Sequence, residues 1–176
     1  MAEFVVIRLG RTSADAVEWI AVDDNGTRRG APGMGTLEQA AAEIRGRAVI
    51  VLVPAIETIT TTVNIPIRGG ARLRAALPFA LEESLAEDIE NLHFASGLRR
   101  ANGELPVAVV SIAKMDEWMS ALGDAGIEAL RMVPENYGLA RIPGTLSLLV
   151  DRDCIFFNDG GDTEFAMQGA RPSDAL

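Results

Sequence analysis

The chain has 176 residues, a formal net charge of -9 and a sequence pI near 4.6, a length that supports one sizeable core or two smaller lobes burying about 70% of the unfolded surface. An average surface of that sign repels phosphate backbones and anionic headgroups, so nucleic acid is not an expected partner. One cysteine, Cys154, and one histidine, His93, exclude an intramolecular disulfide and leave too few soft ligands for zinc.

No basic N-terminal region leads into an apolar run with a small-residue cleavage site, so no secretory signal is expected. No window reaches the ~18 uninterrupted apolar residues of a membrane span. Membrane attachment is therefore expected only through segments outside this chain. Residues 3–9 and 16–22 read as strands, and Asp24-Asn25-Gly26 supplies turn chemistry after the second. Thr36 and Gln39 have the spacing of a capping box, predicting a helix to about Arg45. Residues 48–53 form an all-apolar run between Gly46 and Pro54, the pattern of a buried central strand. The first unit thus reads β-β-(β)-α-β.

From Glu57 the pattern alternates strictly, with Ile59, Val63, Ile65 and Ile67 on one face and threonines on the other, predicting a half-exposed strand. Leu73, Leu77, Leu81, Leu85 and Ile89 then recur four apart, the stripe of a helix. Pro78 predicts a kink or a restart, and a restart would place Glu82 and Glu83 near the positive end of the new helix. Leu92, Phe94 and Leu98 share one face of a following strand and His93 the other. A turn at Ala101-Asn102-Gly103 leads into a strand over 105–113, so residues 57–113 read β-α-β-β. Met115, Trp118, Met119 and Leu122 have the spacing of a core-facing helix that stops near Gly123 or Gly126. A strand over 127–133, a boundary at Pro143-Gly144 and three short strands over 146–150, 154–158 and 163–167 complete the order. The chain opens with a meander and begins another after Pro143; its tail from Gly169 carries little apolar content and is expected to fray.

The glycines of residues 26–35 precede a helix, the neighbourhood of an anion nest, but no lysine follows and Glu38 occupies the first turn, which favours a flexible loop. His93 has no Gly-x-Ser-x-Gly serine to activate and reads as a structural or surface residue. Cys154, beside Ile155, Phe156 and Phe157, reads as a small buried hydrophobe. Glu82, Glu83, Glu87, Asp88 and Glu90 form an acidic helix face with nothing to raise a pKa for acid catalysis. They suit solvation or a basic partner. No catalytic residue, metal ligand or cofactor contact is expected.

The segments Leu77-Pro78-Phe79-Ala80-Leu81-Glu82-Glu83, Leu85-Ala86-Glu87-Asp88 and Leu92-His93-Phe94-Ala95 resemble the cytoplasmic domain of the type II secretion system protein L family. Val51-Leu52-Val53-Pro54, Asn64-Ile65-Pro66 and Val133-Pro134-Glu135 are similar to that family at compatible distances, from about residue 3 to 170. The resemblance implies an α/β, actin-like (ribonuclease H-like) fold. Residues 1–54 plus 114–143 would form the first lobe, 55–113 an inserted β-α-β-β subdomain, and 144–176 the start of a truncated second lobe. It further implies a noncatalytic adaptor on the cytoplasmic side of the bacterial inner membrane, single-pass in full-length relatives. Such an adaptor recruits the secretion ATPase through that enzyme's N-terminal domain and meets other inner-membrane platform proteins. The carboxylates Glu82, Glu83, Glu87, Asp88 and Glu90 are the expected partner-binding residues, and an exposed edge of the insert leaves a homodimer open.

Actin-like enzymes hold nucleotide with an Asp-x-Gly turn in each lobe. The corresponding positions here carry Arg8 in place of the aspartate and Asp153 in place of the glycine, so hydrolysis is not expected. The alternative is a nucleotide-binding actin-like assembly protein related to type IV pilus or cell-division proteins, and Arg8 and Asp153 are the positions that separate the two.

Overall fold

The computed structural model describes residues 3–67, 69–151, 154–161 and 164–169. Asp153 and the tail beyond Gly169 lie outside the described residues. In chain order the strands are β1 (Glu3–Arg8), β2 (Val17–Asp23), β3 (Gly33–Gly35), β4 (Ala48–Val53), β5 (Ile59–Val63), β6 (Leu92–Ser96), β7 (Leu105–Ser111), β8 (Ala129–Pro134), β9 (Ser147–Asp151), β10 (Cys154–Asn158) and β11 (Glu164–Gln168). Three α-helices accompany them, α1 (Leu37–Ile44), α2 (Gly70–Leu81) and α3 (Ile112–Asp124). The chain divides into two compact units, residues 1–57 with 116–138 and residues 58–115 with 139–176.

The first unit is built on a five-stranded sheet of order β3-β2-β1-β4-β8, antiparallel across β1, β2 and β3 and parallel across β1, β4 and β8. Val5, Ile7, Val49, Val51 and Val53 fill its buried face. Alternate residues of the run at 48–53 are only half-buried, so β4 is central in the sheet yet fully covered on one side. The β2 turn is locked by Asp23, whose carboxylate accepts the amides of Asn25 and Thr27, both at 2.9 Å, and the Arg29 guanidinium at 2.8 Å. The glycine-rich run is not a loop throughout. Gly33 to Gly35 pairs with β2, and the Trp19 ring lies where a Gly33 side chain would be. α1 starts with the expected capping box of Thr36 and Gln39 and ends at Arg45 in a left-handed conformation. α3 closes with a Schellman motif: Ile127 N–H donates to the Leu122 carbonyl at 2.8 Å and Gly126 N–H to Gly123 at 3.0 Å, with Gly126 at φ 70°.

The second unit holds two three-stranded antiparallel sheets, β5-β7-β6 and β11-β10-β9. In the first, β7 is central and apolar on both faces, with Val107, Val109 and Val110 buried. Leu73, Leu77 and Leu81 of α2 pack with Ile65, Leu92, Leu105, Val107 and Val109, and Leu85 and Phe94 border that cluster. β10 is the central strand of the second sheet, and Phe157 stacks on Phe165 of β11 with ring centroids 4.6 Å apart.

Three expectations are corrected. Helix α2 runs through Pro78 without a restart. The missing amide and ring clash cost about 3 kcal/mol, but Leu77 and Leu81 on either side are 1% and 4% exposed, and burial of roughly 2 kcal/mol each offsets that. The helix ends at Leu81, where Ser84 Oγ caps its carbonyl at 2.8 Å and Leu85 turns extended. Leu98 does not share the buried face of β6, being 92% exposed beyond the strand's end. Ile59 and Met119 are also exposed, because β5 is an edge strand and only the Trp118 and Leu122 side of α3 meets the core.

Leu77→Ala should cost about 3 kcal/mol of stability by opening a cavity in the α2 cluster, whereas Phe79→Ser, at a residue 70% exposed, should change it by less than ~0.5 kcal/mol. Urea denaturation midpoints at unchanged slope check both.

Candidate functional site

The sequence singled out two places, the turn after β1 and the acidic segment after α2. Arg8 ends β1 directly opposite Glu18 of β2. Its Nε donates to Glu135 Oε2 at 2.5 Å and its Nη1 to Glu18 Oε2 at 3.3 Å. The other Glu135 oxygen accepts the Ala55 amide at 3.1 Å. A guanidinium so held is a fixed positive charge at the end of β1. The two carboxylates beside it are committed to the cation.

The turn that follows is closed on itself. Leu9 N–H donates to the Leu52 carbonyl at 2.9 Å, and Thr12 N–H donates to the Asp15 carboxylate at 2.9 Å while Asp15 N–H returns to the Thr12 carbonyl at 3.1 Å. The Thr12 amide bond holds the Asp15 carboxyl below the usual carboxylate range. Gly10 is required here by space, since a side chain on it would start 2.2 Å from Asp15 Cβ. The Thr12 amide is thus taken by a carboxylate of the same turn.

The carboxylates Glu82, Glu83, Glu87, Asp88 and Glu90 do not lie on a helix face. Glu82 and Glu83 belong to a 3-10 turn (Glu82–Ser84) at the C-terminal end of α2, Glu87 to a bend, Asp88 to the N-cap of a second 3-10 turn (Ile89–Asn91) and Glu90 to that turn itself. All five are exposed, and none pairs with a cation among the described residues. Glu82 and Glu83 sit at the negative end of the helix dipole, the opposite of what a restart at Pro78 implied. His93 is exposed on β6 and Cys154 is buried on β10. Sequence reading missed Glu18, Glu135 and Asp15. Glu135 enters the sequence reading only as part of Val133-Pro134-Glu135 in the resemblance, since a contact 127 residues apart leaves no local periodicity.

The family model for type II secretion system protein L matches residues 5–169. The chain belongs to the type II secretion system protein L family. It is 30% identical over 156 residues to protein L of Dickeya chrysanthemi, covering 87% of this chain and 39% of that one. With protein L of Pseudomonas aeruginosa it shares 34% identity over 141 residues, 80% of this chain and 30% of the relative. The chain thus spans about two-fifths or less of these relatives' length. Among solved structures, the cytoplasmic domain of EpsL, an inner-membrane component of the type II secretion system of Vibrio cholerae, matches with a TM-score of 0.75 at 24% identity over 95% of this chain and 71% of that one. The PilM–PilN type IV pilus biogenesis complex matches at TM-score 0.61 and 15% identity, covering 94% and 62%. A Bacteroides thetaiotaomicron protein of unknown function with an actin-like ATPase fold matches at 0.52 and 10%, covering 98% and 72%. This protein L chain therefore has the actin-like α/β fold. Among its described residues no helix is long and apolar enough to cross a membrane.

Hydrogen bonds from Thr27, Thr12 and Thr36 hold the carboxyls of Asp23, Asp15 and Glu38 below their ordinary values. Depressed native values stabilise the fold above the unfolded-state range near about 4, and that stabilisation is lost as pH falls through the native values. Unfolding midpoints measured from pH 6 down to 2.5 should fall steeply below about pH 4, and Asp23→Asn should flatten the fall.

Proposed function

We propose that this chain is a noncatalytic adaptor in the inner-membrane platform of a type II secretion system, recruiting the cytoplasmic secretion ATPase through that enzyme's N-terminal domain. Residues 1–54 with 114–143 serve as the first lobe, 55–113 as the insert, and 144–176 as the start of a second lobe. The chain works on the cytoplasmic side of the membrane beside the other platform proteins.

The observation that carries the docking assignment is the acidic segment. Five exposed carboxylates crowd an irregular stretch, two of them against the dipole of α2. That arrangement costs local stability, a few tenths of a kcal/mol per charge, and sequences break local rules chiefly where function asks for it. A surface of this kind steers and selects a basic partner. The noncatalytic part of the reading rests on Arg8, whose charge opposes a Mg²⁺ site and which pairs with both Glu135 and Glu18.

Titration of the ATPase N-terminal domain against the chain should give a salt-sensitive complex, weakened at least about tenfold by Glu83→Lys, Glu87→Lys and Asp88→Lys together, with the loss shrinking as salt shortens the Debye length. An unchanged affinity in the folded triple variant would remove the acidic segment from the interface. Calorimetry with Mg-ATP on a chain extended through the whole second lobe should register no binding. A tight complex there would favour the nucleotide-regulated reading that the actin-like fold keeps in view.

A further inference from the structure

We propose that the outward face of α2 is a self-association surface, on which a second copy of this chain lays its own α2 in the antiparallel direction. The helix buries Leu73, Leu77 and Leu81, so its period turns Arg72, Ala75 and Phe79 outward, and all three are exposed. Glu82 and Glu83 continue that face past the helix end, Glu82 with helical backbone angles. Phe79 is 70% exposed, a ring left in water among Ala75, Ala76 and Ala80. The charges at the two ends are set against the helix's own dipole. Arg72 stands in the first turn, where the free amides are positive and no acidic residue is present, and Glu82 and Glu83 stand where the free carbonyls are negative. None of the three pairs with an opposite charge among the described residues.

An antiparallel copy reverses these conflicts. Arg72 of each chain then lies beside Glu82 and Glu83 of the other, and each charge sits next to a helix end of opposite sign. The spacing fits. Arg72 and Glu83 are about 16 Å apart along the axis, and setting each against its opposite puts the twofold axis level with Leu77 and Pro78. In that register Phe79 meets Ala75 and Ala76 of the second copy, whose small side chains leave room for a ring between packed helices. A parallel copy would set arginine beside arginine and glutamate beside glutamate, so charge selects one orientation. The pattern is self-complementary, as an interface with twofold symmetry requires. α2 has 12 residues, about 18 Å of helix. One helix pair of that length belongs with the small interfaces, under about 1,200 Å², so the dimer is weak and set by concentration. Glu87, Asp88 and Glu90 lie beyond the paired stretch and stay open to a basic partner.

Sedimentation equilibrium of the whole chain tests the surface. Between about 10 and about 500 µM the mean mass should rise from 18.7 kDa toward twice that value. Phe79→Ser should weaken the association at least about tenfold with the circular dichroism spectrum unchanged. Arg72→Glu and the double variant Glu82→Arg, Glu83→Arg should each stay monomeric, whereas an equal mixture of the two should dimerise, because the exchanged charges attract only across unlike chains. In the unmodified chain, amide chemical shifts that move with concentration should centre on residues 72–83, which decides the matter even if a variant fails to fold. A chain that is monomeric at the highest concentration overturns the proposal. So does a dimer indifferent to Phe79→Ser, a mixture that stays monomeric, or a set of moving shifts confined to other elements.

Discussion

At the end of β1 the Arg8 guanidinium reaches Glu135 and Glu18 together, and Glu135 passes the connection to the amide of Ala55. Four strands therefore end at one electrostatic corner: β1 and β2 through the cross-strand pair, β4 through the residues that follow it, and β8 through the turn that begins with Glu135. Glu135 is nearly buried while Arg8 keeps partial access to water, so the carboxylate depends on the cation more than the reverse. The parallel core of the sheet supplies apolar packing. The corner fixes which residue faces the turn beyond β1, and it puts a positive charge there.

That charge and the turn beside it belong together. Asp15 accepts the Thr12 amide, donates its own amide to the Thr12 carbonyl and crowds Gly10, so two of the turn's amides are bonded within it. A turn of this kind has less to offer a phosphate than one whose amides point outward, because each committed N–H must break a bond before making a new one. The acidic segment is the converse case. Its carboxylates are exposed without a cation beside them among the described residues, and the helix dipole disfavours two of them. The same chain thus spends its charges inward at one end of a sheet and outward at the end of a helix.

The two meanders add a second regularity. β1, β2 and β3 lie side by side in the order β3-β2-β1, and β9, β10 and β11 in the order β11-β10-β9. In the five-stranded sheet the outer edge of β1 is taken by β4 in parallel after a helical crossover. Both meanders arise from short strands with turn residues between them, so the repeat is topological even though no sequence repeat announces it.

Element types and order were legible in the sequence, because period, capping and turn chemistry act over a few residues. Thr36 and Gln39 fix a helix start, residues 48–53 mark a central strand, and Gly126 ends α3. The family was legible too, in the run from Leu77 to Ala95. What the tertiary structure decided was every outcome set by a distant partner. Burial of Leu77 and Leu81 against β6 and β7 carried α2 through Pro78, pairing with β2 turned Gly33 to Gly35 into a strand, and the core's reach along α3 left Met119 outside. Above all, local pattern cannot foresee that Glu135 would meet Arg8 across 127 positions of chain, since only the parallel pairing of β4 with β1 and β8 brings those strand ends together.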